Sequence, residues 1–255
     1  MMGENNTFIL LTRPEKESRS LAEKIKKETE LNCLVCPVME IRDVKLAMEV
    51  PPINDISACV FTSAHAVRVF LKSGIVIPQD FPIFAIGEPT AHGLKKAGYT
   101  QIYVADGSSE KLCEKIARTC DTNKKPVLHF CGVHVSPSLQ QQIISQNLNV
   151  RSYPLYEAIA RTTFPKDVLQ AIKDKKITDI LFYSERTVRL FVDLCEKYRI
   201  TEFFSHTRVL CLSQAMVKSV KQLPCRKITV AHTPSTRAML DLLGRLEHNG
   251  DDQNE

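Results

Sequence analysis

Twice in this chain a short apolar run ends in a hydroxyl side chain and passes straight into helical spacing. The segments are VFTSAHAVRVF at residues 60–70 and LFYSERTVRLF at 181–191. Thr62 and Ser63 in the first, and Ser184 in the second, stand where a strand gives way to a helix. A helix start offers unpaired N–H groups and a partial positive charge, so such turns hold carboxylates or phosphates. Any single Ser or Thr there is first of all a cap. What points to chemistry is the number of these turns. Small polar or helix-starting residues also follow the other apolar runs: Thr12 and Arg13, Gly87 to Thr90, Asp106 to Ser109, His129 with Cys131 and Gly132, Ser213 and Gln214, and His232 to Thr236. Arg13 adds a guanidinium fork suited to bidentate pairing with an acidic side chain. Thr12-Arg-Pro-Glu15 has the spacing of a capping box, and Thr233-Pro234 sets a proline at the first position of a helix. In open parallel sheets ligands bind outside the carboxyl ends of the strands. Two sheets presenting these turns to one cleft would grip a large polyanion, mainly through backbone amides.

Other chemistries lack their residues. No GxGxxG follows a strand, no GxxxxGK[ST] occurs, and neither HExxH nor a GxSxG elbow is present. Cys33 and Cys36 form a lone CxxC inside a segment that reads as a strand, with no second pair at zinc spacing. Most of the other cysteines, namely Cys59, Cys131, Cys195 and Cys211, sit in apolar segments and read as reduced, small hydrophobes. The histidines are dispersed, and those at strand ends, His129 and His232, read as packed or solvated side chains. No cofactor and no metal is expected.

The bulk numbers agree. A chain of 255 residues with 44% apolar and 25% charged content holds one large domain or two modest ones. Its net charge of +5 is spread over helix faces such as EKIKKET, which suits an acidic small molecule and argues against nucleic acid as a partner. No apolar run reaches the roughly 18–20 residues of a membrane helix. MMGENN is short and polar, unlike a signal peptide, so a cytoplasmic location is expected.

Strands and helices must position the turns. Strands are expected at Phe8–Leu11, Leu34–Val38, Ala58–Phe61, Ile83–Ile86 and Ile102–Val104. A second set follows at Pro126–Phe130, Val150–Tyr153, Ile180–Tyr183, Val209–Leu212 and Ile228–Val230, with helical periodicity between them. The two sets repeat one another. FILLTRP aligns with VLHFCGV, NCLVCPVMEI with NVRSYPLYEA, and FAIGEPTAHGLKK with LCLSQAMVKSVKQ. Alternation at this spacing implies parallel sheets covered on both faces, so the fold class is α/β with two doubly wound domains. Composition alone places a cut near residue 122, at CDTNKK, with solvated tails at 1–6 and about 247–255.

The succession LLTRP, VFTSAHAV, FAIGEPTA, a strand ending in Cys131-Gly132, PLYEA and LFYSERTV resembles the uroporphyrinogen-III synthase family, from about Phe8 to Leu246. The resemblance implies two flavodoxin-like domains joined by a two-stranded linker, one of them discontinuous. Domain 1 would be residues 1–38 plus 161–255 and domain 2 residues 39–160, with crossings in CPVMEIRD and YPLYEAIA. It implies a cofactor-independent lyase acting on hydroxymethylbilane, an acidic linear tetrapyrrole. This substrate loses water and closes, with its last ring inverted, to uroporphyrinogen III. Tyr156 in PLYEA matches the family's cleft tyrosine and is a candidate general acid, since a phenol of pKa about 10 stays protonated at neutral pH. Thr62, Ser63, Thr90 and Ser184 match positions lining that cleft, and Gly87, Cys131, Gly132, Ser213 and Arg13 complete the expected substrate-binding set. The family's Gly-x-x-Thr turn is kept at Gly87-Glu-Pro-Thr90. In the second repeat it becomes Ser213-Gln-Ala-Met216, where methionine neither caps nor donates and Ser213 is left to compensate. The enzyme is expected to be a monomer with no membrane or nucleic-acid partner. The rival reading is a non-catalytic, two-lobed tetrapyrrole-binding or small-ligand sensor protein.

Overall fold

The computed structural model describes residues 7–45, 49–105 and 108–244. The expected tails and the Asp106 turn residue lie outside the described residues. The chain starts with β1 (Phe8–Leu11), α1 (Glu15–Glu28), β2 (Asn32–Val35), β3 (Met39–Asp43), β4 (Ala58–Phe61), α2 (Ala64–Phe70), β5 (Ile83–Ile86) and α3 (Glu88–Lys96). It continues with β6 (Ile102–Ala105), α4 (Ser109–Thr119), β7 (Val127–Gly132), α5 (Pro137–Ser145), β8 (Val150–Ala160) and α6 (Lys166–Lys173). The last third holds β9 (Ile177–Phe182), α7 (Glu185–Tyr198), β10 (Arg208–Cys211), α8 (Val217–Val220), β11 (Lys227–Val230) and α9 (Thr236–Gly244).

The chain divides into two compact units, Met1–Glu40 with Ile159–Glu255, and Ile41–Ala158. In the first, the strand order is β11-β10-β9-β1-β2, and every pairing is parallel. In the second it is β3-β8-β7-β4-β5-β6, with parallel pairing from β8 through β6. Each strand of the sequence repeat occupies the matching place in its own sheet. β1 corresponds to β7, β2 to β8, β9 to β4, β10 to β5 and β11 to β6. The chain passes between units in β3 and β8, which are neighbours; Val44 N donates to Leu155 O at 2.9 Å and Arg161 N to Val38 O at 2.9 Å. A contiguous cut near residue 122 is therefore ruled out, because β1 and β2 pair into the sheet built by β9 to β11.

Strand alternation explains the double winding. In the first sheet Leu10, Ile180, Phe182, Val209 and Cys211 face α6, α7 and α8, while Ile9, Leu11, Leu181 and Leu210 face α1 and α9. In the second sheet Cys59, Phe61, Ile83, Leu128 and Phe130 face α2 and α3. Ala58, Val60, Phe84 and Val127 face α4 and α5 on the other side. With both faces covered, ligands of such sheets bind outside the carboxyl ends of the strands.

Three local expectations are corrected. Thr12 forms no capping box: its hydroxyl donates to Leu181 O at 2.7 Å, and Pro14 occupies the cap of α1. A sheet acceptor on β9 outcompetes the helix end for that hydroxyl. Pro234 does not begin α9; Ser235 accepts from Ala238 N at 3.2 Å instead, and the helix runs from Thr236. The helical pattern of AMVKSVKQL yields a 3₁₀ turn at Gln214–Met216 and a single α turn, since Pro224 follows closely. A helix absent from the sequence reading, α6, packs Val168, Ala171 and Ile172 into the core.

Candidate active site

In the second unit β7, β4 and β5 are neighbours, so their carboxyl ends bring three turns to one edge. At the end of β4, Ser63 caps α2 by accepting from His65 N at 3.1 Å. Thr62, half-buried, shares a 3.0 Å hydrogen bond with His129 Nε2. At the end of β5, Gly87 adopts φ +77° at the cap of α3, a conformation that glycine enters without the Cβ penalty. Thr90 lies inside the first turn of α3, 3% exposed, its N–H donating to Gly87 O at 3.2 Å. At the end of β7 the Cys131 side chain is 2% exposed, and burial pushes its thiol up to about 11. Cys131 and Thr90 are thus buried beside the edge, each nearly inaccessible as a whole residue.

Tyr156 reaches this edge from β8. The β7–β8 register shifts between Cys131 and Gly132, which sets Tyr156 opposite Gly132. The half-buried ring lies so close that a Cβ on Gly132 would stand 2.9 Å from Tyr156 Cζ. The His65 ring sits on it with centroids 5.7 Å apart and planes tilted by 51°. His65 Nδ1 in turn lies 3.5 Å from Arg68 Nη2. One phenol is therefore bounded by a glycine backbone and an imidazole.

The first unit repeats the pattern at the ends of β10, β9 and β1, also neighbours. Ser184 caps α7, accepting from Thr187 N at 3.2 Å and sharing a 2.7 Å bond with the Thr187 hydroxyl. Ser213 precedes the 3₁₀ turn and makes no capping hydrogen bond. The Arg13 guanidinium stacks 4.5 Å above the Tyr183 ring, an aromatic partner rather than the expected carboxylate. Burial pushes the Tyr183 phenol up to about 12, partly offset by the charge of Arg13 and by the Thr236 side chain. Among the described residues no three His, Cys, Asp or Glu side chains gather to hold a metal ion.

Two repeats of one sheet order, interleaved through β3 and β8, narrow the identity, and sequence comparison decides it. A family model described as uroporphyrinogen-III synthase HemD matches residues 19–241. The chain belongs to the uroporphyrinogen-III synthase family. Solved synthases share its fold. The uroporphyrinogen-III synthetase of Helicobacter pylori superposes with a TM-score of 0.63 at 19% identity, covering 94% of this chain and 99% of that one. A substituted uroporphyrinogen III synthase from the extremely thermophilic bacterium Thermus thermophilus gives 0.60 at 14% identity, over 94% of this chain and 98% of that one. No curated protein sequence matches the chain significantly.

Within the synthase fold, Thr62, Ser63, Gly87, Gly132 and Tyr156 share one edge, and Arg13, Ser184 and Ser213 share the equivalent edge of the other unit. Sequence reading missed two partners, His65 and Tyr183. His65 stands 91 positions from the ring it touches, and nothing local marks that contact. Tyr183 aligns with Thr62 in the repeat, and that correspondence was the available signal. Among the described residues no helix is long and apolar enough to cross a membrane.

Proposed function

We propose that the chain cyclises hydroxymethylbilane to uroporphyrinogen III, a hydro-lyase reaction of tetrapyrrole biosynthesis that inverts the last pyrrole ring. The observation that carries this reading is the family match across residues 19–241. The chemistry asks little of a cofactor. Electron density from the terminal pyrrole expels the hydroxyl and leaves an azafulvene cation. The substituted carbon of the last ring then attacks to give a spiro centre. The bond from that carbon to its original methylene breaks, and the azafulvene cation so released is captured by the unsubstituted α-carbon of the same ring. The proton on that carbon is lost as aromaticity returns.

Two tasks fall to the protein. The first is steering, since the free bilane closes to the uninverted isomer by itself. Holding reactive carbons together contributes about 7–11 kcal/mol in well-oriented cases. Carboxylate anchors are the means: the Ser63, Ser184 and Ser213 hydroxyls, the start of α3 beside Gly87, and Arg13. The second task is protonating the leaving hydroxyl, which positioned acids accelerate about 10²–10⁴-fold. Tyr156 takes this role. Its phenol donates the proton, and the proton released on ring closure restores it. Its fixed place against Gly132 supports the assignment.

Every side chain used here comes from one chain, so a monomer suffices. All nine cysteines are unpaired, the state favoured in the reducing cytoplasm, where we place the protein. The test is an isomer analysis. The full chain is mixed with freshly generated hydroxymethylbilane, the products are oxidised, and the type I and type III porphyrins are resolved. Type III in excess is expected. Only type I, as in buffer alone, overturns the reading.

A further inference from the structure

The carboxyl edge of the second unit contains a polar contact that the reaction scheme leaves unused. His129 lies within β7, opposite Val60 of β4, and is 1% exposed. Strand alternation puts it on the same face as Ala58, Val60 and Val127, an apolar layer under α4 and α5. Its Nε2 reaches diagonally to Thr62 Oγ1 at 3.0 Å, two positions beyond Val60. Its Nδ1 is buried and has no hydrogen-bond partner.

That asymmetry decides the tautomer. A neutral imidazole carries one N–H and one bare nitrogen. Placing the proton on Nδ1 would strand a donor in an apolar layer, whereas orphaned buried N–H groups are rarer than under-satisfied acceptors. Placing it on Nε2 leaves only a lone pair unpaired and gives a 3.0 Å N–H···O bond to Thr62, at the usual length for this type. The direction of that bond sets what Thr62 can do. If Thr62 received no proton from His129, its own proton would be consumed by the imidazole, and the hydroxyl could only accept. Because Nε2–H donates, the threonine proton is available to something outside the sheet.

We propose that His129 is a positioning residue that releases the Thr62 hydroxyl proton toward the ligand, so that this turn selects an oxygen acceptor, a substrate carboxylate, over a pyrrole N–H. The substrate half of this inference rests on the synthase reading above. The His129–Thr62 half does not.

The test has two arms that fail separately. In the first, the side-chain nitrogens of the histidines in the full ¹⁵N-labelled chain are correlated with their ring protons at neutral pH. The His129 signals are identified by their loss in H129Q. A proton on Nε2 is expected; a proton on Nδ1, or on both nitrogens, overturns the inference whether or not the protein turns over bilane. In the second arm KM for hydroxymethylbilane is measured. T62V should raise it about ten-fold, the scale of one lost hydrogen bond to a charged group, and H129L, which leaves the Thr62 hydroxyl free to rotate, should raise it by a smaller factor. The double variant should be no worse than T62V, because His129 acts only through Thr62. H129Q, whose amide can donate to Thr62, should restore KM toward the parent. Multiplying effects in the double variant, or an unchanged KM in H129L, refute the role. Thermal unfolding of each variant separates these outcomes from loss of fold. A chain with no type III activity removes the synthase reading and leaves the tautomer result to stand on its own.

Discussion

The Tyr156 ring rests on the bare α-carbon of Gly132, across a register shift between β7 and β8. A methyl group added at Gly132 would meet Cζ at 2.9 Å, Cε2 at 3.0 Å and Oη at 3.2 Å. These atoms are the far end of a side chain that can swing aside, so the fold tolerates the intrusion while the phenol moves. Gly132→Ala is expected to lower kcat at least about ten-fold, since small misplacements of a reacting group are costly. Its unfolding midpoint should stay close to the parent's. Equal losses of stability and activity would show that the contact serves packing alone.

Tyr156→Phe keeps the ring and removes the proton. The expected result is a fall in kcat of about 10²-fold or more with KM little changed, the pattern of an interaction made only in the transition state. Steady-state kinetics on hydroxymethylbilane give the answer, and an unchanged kcat would remove the acid role.

How much of this was legible beforehand follows from the range of each interaction. The strands at the carboxyl edges stood out because apolar, β-branched runs end in Ser, Thr and Gly. Ser63 and Ser184 cap their helices through N–H groups two and three residues on, within reach of any sequence pattern. Thr12 looked like a cap for the same reason, yet its hydroxyl bonds Leu181 O, 169 positions away. The interleaving was hidden too: CDTNKK has a linker's composition, whereas the chain passes between the units in β3 and β8, strands of mixed polar and apolar residues that nothing local marks as a boundary. Contacts of Tyr156 with Gly132 and His65 exist because β8 lies beside β7 and β7 beside β4, and sheet order is a tertiary fact.

Gly87 offers a check on backbone conformation. Its φ of +77° falls in the left-handed region, while a Cβ there would meet only Pro89 Cδ at an ordinary 3.7 Å. The requirement is therefore conformational rather than steric. With ψ at 150° the residue sits in a region that is essentially restricted to glycine, so Gly87→Ala should cost about 1–3 kcal/mol. Urea unfolding measures it, and an unaffected midpoint would argue that the turn relaxes to another conformation.

Acid should weaken the fold through His129. Burial lowers its pKa from 6.5 to about 4 in the folded protein. The unfolded chain takes up this proton at the higher value, so its contribution is fully present above pH 6.5 and is lost as pH falls toward 4. The loss amounts to roughly 3 kcal/mol at most. Carboxylates titrate over the same window in any variant, so the measurement is a difference: urea midpoints of the parent and H129Q from neutral pH down to about 4.5, just above the folded value. The parent should lose more stability than H129Q. Parallel curves would mean that the imidazole is already charged or hydrated in the native state.

The first unit contains a charge pair that the chemistry does not need. Arg208 on β10 and Asp179 on β9 face each other in the parallel register, both nearly inaccessible, with Nε donating to Oδ1 at 2.6 Å. One terminal nitrogen also donates to Leu242 O at 3.3 Å, tying α9 to the sheet, while Nη2 is buried with no partner. Removing one partner of such a pair leaves the other charged in an apolar layer, which costs about 3–5 kcal/mol. Asp179→Ala should therefore destabilise the unit severely. Replacing both partners by apolar residues of similar volume should recover most of the loss, because the desolvation penalty disappears with the charges. Unfolding by urea, with far-UV circular dichroism as the probe, distinguishes the two variants. If the double replacement is as unstable as Asp179→Ala, the pair contributes through geometry, chiefly the hold of Arg208 on the carbonyl of Leu242, rather than through the balance of its charges.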